Sequence, residues 1–156
     1  MTVNKDRVRK LIAGLRSGEF EQCQATLTRF TDGGAKETHC CLGVATVIAM
    51  ADGVELRMVQ SGNHAHDGIG YLTYTWGDQD PCNCAPGCSY VKGRSASGVL
   101  PDPVMEYYGF DDTDPVLRKD NGVLASAVTL NDTYRMNFGR IADAFERTFV
   151  PEDVKS

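Results

Sequence analysis

The sequence predicts an α+β fold in one compact domain spanning 1–156. Three observations carry this. Val8, Leu11, Ile12 and Leu15 recur at helical spacing near the N-terminus. The stretch "EQCQATLTRF" alternates with a period of two and is followed by a glycine turn. Beyond "THCC" the alternation stops, and an apolar run follows whose residues need burial nearly all round.

In order along the chain, Asn4 caps the first helix, and Ser17-Gly18 closes it with a residue suited to the left-handed region. In the next segment Cys23, Ala25 and Leu27 share one face, with Gln22, Gln24, Thr26 and Thr28 on the other. With "TDGG" as the turn and "AKETHCC" as the returning strand, 21–41 reads as a β-hairpin. Leu42, Val44, Ala45, Val47, Ile48, Ala49 and Met50 then form a buried central helix closed by "ADG". Residues 54–99 read as an irregular insert, rich in glycine, with His64, His66, Cys82, Cys84, Cys88 and the single tryptophan; within it "IGYLTYTW" looks strand-like. "LPDPVMEYYGF" is a short helix begun by proline and stopped by glycine, and "DPVLRKD" a strand. "GVLASAVTLND" is expected to be helical. Phe138, Ile141, Ala142, Phe145 and Phe149 stripe a last helix capped by Asn137.

Composition narrows the function classes. With 42% hydrophobic and 24% charged residues the chain is ordinary globular material. A net charge of −5 argues against a nucleic-acid polymer as partner, because a duplex needs a concentrated basic face. The apolar run at 40–51 is interrupted by Gly43 and Thr46 and is too short to span a bilayer. "MTVNKDRVRK" leads into a charged helix without an apolar signal core, so a cytoplasmic location is expected.

Four blocks carry a resemblance: "LIAGLRSGEFEQCQATL", "HCCLGVATVIAM", "LPDPVMEYYGF" and "LNDTYRMNFGRIADAFE". Together they resemble a family of small bacteriophage and prophage proteins with the pattern ALRSG, CCLGV, LPxxV, LND and FxxIA in that order. The resemblance implies a phage-encoded accessory protein in the infected host's cytoplasm, and supplies no catalytic residue. The cysteine-bearing insert departs from the pattern.

In a reducing compartment the six cysteines are core fillers, metal ligands or nucleophiles. Cys40 and Cys41 are expected to be fillers at a crowded strand-to-helix junction. A nucleophile would need a base in reach, and His39, adjacent in a strand, points to the opposite face. Cys82, Cys84 and Cys88 make three thiolates in one short loop around Pro86 and Gly87, able to hold a structural zinc, with His64 or His66 as a fourth ligand. Their C-x-C-x3-C spacing is not that of a two-pair ribbon, and the alternative is a set of free thiols. Asn131 and Asp132 offer polar groups to a ligand or else cap and close turns. Gln22 joins them near the first strand, and Arg16 supplies a fork suited to phosphate, or a solvent-facing charge.

Phosphate-loop, nucleophile-elbow and zinc-protease motifs are absent from the sequence. The reading favours a binding protein over an enzyme: a phage counter-defence factor that sequesters a small host ligand, a nucleotide immune signal being the expected kind. Arg16, Gln22, Asn131 and Asp132 are its expected contacts, and a homo-oligomer its expected form. The alternatives are a metal-assisted nucleotide hydrolase and a protein-binding inhibitor of a host enzyme.

Overall fold

The computed structural model describes residues 2–31, 35–61, 70–77 and 95–155. They form a helical layer beside a five-stranded antiparallel sheet, with a small two-stranded sheet near the C-terminal helix.

Helix α1 spans Lys5–Arg16; Asn4 Oδ1 accepts from Arg7 N at 3.2 Å, and Val8, Leu11, Ile12 and Leu15 are its buried stripe. Strands β1 (Thr28–Thr31) and β2 (Lys36–His39) make the expected hairpin, with Thr28 opposite His39 and Phe30 opposite Glu37. Most of its turn, 32–34, lies outside the described residues.

The first strand is shorter than the alternation predicts. Residues 21–27 are not a paired strand: Ala25 has φ +70°, a left-handed conformation that breaks an extended run. Cys23 and Leu27 still turn inward. They are held by backbone bonds to distant residues, Cys23 N to His39 O at 2.9 Å and Leu27 N to Ser97 O at 2.6 Å.

Helix α2 (Cys41–Ala51) is buried over its first six residues. Gly43 is required there, because a Cβ would run into the Leu27 carbonyl that crosses the helix at this point. That crossing puts the start of α2 directly on the chain entering β1.

The region expected to be an irregular insert supplies three strands of the main sheet: β3 (Arg57–Ser61), β4 (Gly70–Thr75) and β5 (Ser95–Ala96). Strand β4 is central, with β3 along one edge and β1 and β5 sharing the other. Edge strand β3 mixes Arg57, Met58 and Gln60, so it gives no clean alternation to read.

Helix α3 (Asp102–Tyr108) follows Pro101 and stops at Gly109, whose φ is +75°. Strands β6 (Val116–Arg118) and β7 (Leu124–Ser126) pair antiparallel. The helix expected over "GVLASAVTLND" is therefore replaced in its first half by β7. Helical backbone begins only at residue 127 and widens into a π-helical turn at Thr129–Thr133. Helix α4 (Phe138–Phe149) has Asn137 as its cap, Oδ1 accepting from Arg140 N at 2.9 Å.

Helix α1 packs on α2, α3 and α4. Tyr108 stacks on Phe110, which meets Phe145 and Phe149 of α4, and the Tyr108 hydroxyl donates to Ala45 O at 2.8 Å. This packing fixes α2, and with it the wall α2 presents to the sheet. Among the described residues no helix is long and apolar enough to cross a membrane.

Candidate functional site

The structure brings Gln22, Asn131 and Asp132 together, with Asn131 turned fully inward and the other two half-buried. Asn131 is fully buried, and all of its side-chain capacity is used. Its Nδ2 donates to Cys23 O at 2.9 Å and to Asp132 Oδ1 at 2.7 Å. Its Oδ1 accepts from Cys41 N at 3.2 Å and from Gln22 Nε2 at 2.9 Å. Gln22 Nε2 spends its second proton on Met136 O at 2.7 Å. Asn131 thus caps α2 from 90 residues away. The expectation of capping holds in kind, but the helix capped is a distant one. These amides tie segments together and leave no donor on Asn131 for a ligand.

Arg16 does not join that set. Its guanidinium is spread over Asp143 at 2.7 Å and Glu146 at 2.8 Å on α4, which raise its pKa and occupy the fork expected for phosphate.

The adjacent cysteines have separate structural roles. Cys40 Sγ accepts from Gly43 N at 3.3 Å as the N-cap of α2, and Cys41 Sγ donates to Ala127 O at 3.6 Å. Burial pushes the Cys40 thiol up to about 12 and the Cys41 thiol well above its ordinary value. Both stay protonated at neutral pH, which removes the nucleophile. Cys82, Cys84, Cys88, His64 and His66 lie outside the described residues, among which no group of three or more His, Cys, Asp or Glu could hold a metal ion.

A pocket that the sequence reading did not single out lies between the sheet and α2. Thr28, Glu37, His39, Met58, Leu72 and Tyr74 come from the sheet, and Val47 and Met50 from α2, around a cavity of about 260 Å³. The register explains why they meet. Thr28 pairs with His39 and Met58 with Tyr74, and alternation puts Glu37 and Leu72 on the same face.

The floor is polar. Thr28 Oγ1 lies 2.9 Å from His39 Nδ1 and 2.8 Å from the Tyr74 hydroxyl, and all three residues are buried. The Tyr74 hydroxyl has no other hydrogen-bond partner among the described residues. Among the described residues, the arrangement that leaves no proton stranded has Tyr74 donating to Thr28, and Thr28 donating to His39 Nδ1. Its proton then sits on Nε2, on the side of Glu37, whose Oε2 is 4.0 Å away. Burial lowers the pKa of His39 against the smaller opposing pull of Glu37, so the ring is neutral. An apolar cavity with a few convergent polar groups is the geometry of a small-molecule site.

A family profile described as a domain of unknown function, DUF8296, matches residues 4–149. The chain belongs to the DUF8296 family. No curated protein and no solved structure matches the chain. The DUF8296 span contains α1 through α4, the whole buried amide network and every residue lining the pocket. In this DUF8296 member, the residues that suggested chemistry in the sequence (Gln22, Cys40, Cys41, Asn131) build the junction of α2 with the rest of the fold. The pocket opens beside that junction, at His39.

Proposed function

We propose that this protein is a bacteriophage-encoded accessory, counter-defence factor that acts by capture in the cytoplasm of the infected host, sequestering a small host ligand of nucleotide-like chemistry. The observation that carries the reading is the pocket between the sheet and α2, with apolar walls and a polar floor of Thr28, His39 and Tyr74. Capture without turnover is favoured by the protonated thiols of Cys40 and Cys41 and by a histidine whose Nδ1 is already engaged. The test is incubation of the purified protein with a bacterial small-molecule extract, removal of unbound material, heat release and mass spectrometry. An unchanged released compound supports capture; a converted one would replace it with an enzyme, and an empty protein would overturn both.

A second reading, inhibition of a host enzyme by direct contact, is favoured by the outer side of the β6–β7 sheet. Val116 and Leu124 are each more than half exposed there. Two further elements complete the proposal. Cys82, Cys84 and Cys88 hold a structural zinc, which elemental analysis of protein purified without chelators tests directly. The working form is a homo-oligomer, which light scattering would refute by returning only a monomer.

A further inference from the structure

We infer that the group entering the pocket is an uncharged, flat heteroaromatic ring whose edge carries a hydrogen-bond acceptor beside a donor, as a nucleobase does, and that any phosphate stays outside. This rests on the pocket being the capture site proposed above and specifies what it recognises.

The argument begins with His39 and Glu37. With Tyr74 assigned as donor to Thr28 and Thr28 as donor to Nδ1, Nε2 is a donor, and Glu37 Oε2 is an acceptor. At 4.0 Å they do not hydrogen-bond each other, and both residues line the same cavity, so a ligand there can meet the two together. An anionic group would meet the Glu37 carboxylate, and a group with donors only, such as an ammonium, would leave the His39 N–H without an acceptor. A ring edge with one acceptor and one adjacent donor satisfies both.

The walls agree. Met58 and Leu72 of the sheet face Val47 and Met50 of α2, and two thioethers in one cavity suit an aromatic ring, since sulfur packs favourably at ring edges. None of the eight described lining residues is Lys or Arg, so no described residue of the cavity neutralises a phosphate. A cavity of about 260 Å³ has room for the ring rather than for a whole dinucleotide. Glu37, with 61% of its side chain exposed, marks the mouth, where charged parts of a ligand would be turned away into water.

The experiment is calorimetric titration of the full chain with adenosine, guanosine, cytidine and uridine, their 5′-monophosphates, and ribose 5-phosphate. The titrations are repeated on Glu37→Ala, whose exposed position spares the fold, as circular dichroism would verify. The expected result is that at least one nucleoside binds, its monophosphate binds no more tightly than about threefold better, ribose 5-phosphate does not bind, and Glu37→Ala weakens the nucleoside by roughly tenfold or more, the loss of one charge-assisted hydrogen bond. Binding that tracks phosphate, nucleoside binding indifferent to Glu37→Ala, or no nucleoside binding would each overturn the inference. In all three cases ligand recovered from the extract would leave the capture reading standing, so the two fail separately.

Discussion

Replacing Asn131 by alanine removes four hydrogen bonds at a point with no access to water. Two of the abandoned partners recover cheaply. Gln22 keeps its bond to Met136 O, and the half-buried Asp132 reaches solvent. The other two are backbone groups, Cys41 N–H at the start of α2 and Cys23 C=O, which cannot move without moving the chain. Each stranded buried group costs about 1–3 kcal/mol, and the truncated side chain leaves a small void, so the expected loss is about 3–5 kcal/mol. That is a large share of the 5–15 kcal/mol typical of a whole domain, roughly an 8–15 °C fall in Tm for a chain of this size. Urea unfolding followed by circular dichroism measures it, with Gln22→Ala as a milder control. Asn131→Asp sharpens the test, since it keeps the shape but points a second acceptor at Cys23 O and Asp132; it should cost at least as much as the alanine. A loss under about 1 kcal/mol for Asn131→Ala at unchanged urea sensitivity would refute the network as the anchor of α2.

Gly43→Ala should destabilise by at least about 2 kcal/mol, because the new methyl meets the rigid Leu27 carbonyl; a wild-type urea midpoint would contradict that packing. Iodoacetamide at mildly alkaline pH should leave Cys23, Cys40 and Cys41 unlabelled in the native protein and label all three in urea, as read by peptide mass spectrometry; rapid native labelling of Cys40 would restore it as a reactive thiol. His39 is held neutral by burial, so below its ordinary value of 6.5 the unfolded chain binds a proton that the folded chain does not. The stability tied to its neutrality is therefore complete above about pH 6.5 and is lost as pH falls below it. Wild type should lose more stability between pH 7.5 and 5.5 than His39→Gln, and equal losses would count against a neutral buried ring.

The helices were legible because their causes are local. Asn4 and Asn137 as caps, the spacing of Val8, Leu11, Ile12 and Leu15, and the glycine after Tyr108 all lie within a few residues of what they determine. The errors fall where distant partners decide. Residues 21–27 alternate like a strand, but their backbone groups are satisfied by His39 and Ser97, and Ala25 turns left-handed between them. "GVLASAVTLND" has helical composition, but pairing with β6 claims Leu124–Ser126. Gln22 and Asn131 looked like ligand contacts since nothing local uses their amides; their partners are each other. The pocket was hidden for the same reason. The alternation in "KETH" and "GYLTYT" could have placed Glu37 with His39 and Leu72 with Tyr74, but only the register of β1, β2 and β4 brings those pairs to one face.

The cap that Asn131 places on α2 also constrains how the protein is born. A ribosome releases α1 and the hydrophobic α2 long before it reaches residue 131, and α1 waits longer still for Asp143 and Glu146 of α4. During that interval the two early helices have each other but lack α3, α4 and the Asn131 cap, and the α2 segment, apolar nearly all round, is the most exposed to misassociation. Contacts of such separation carry a loop-closure cost that only a chain holding both partners can offset. Nascent chains arrested before residue 131 should accordingly remain protease-sensitive and depend on chaperones, and folding should arrive late, in a single step, as α4 emerges.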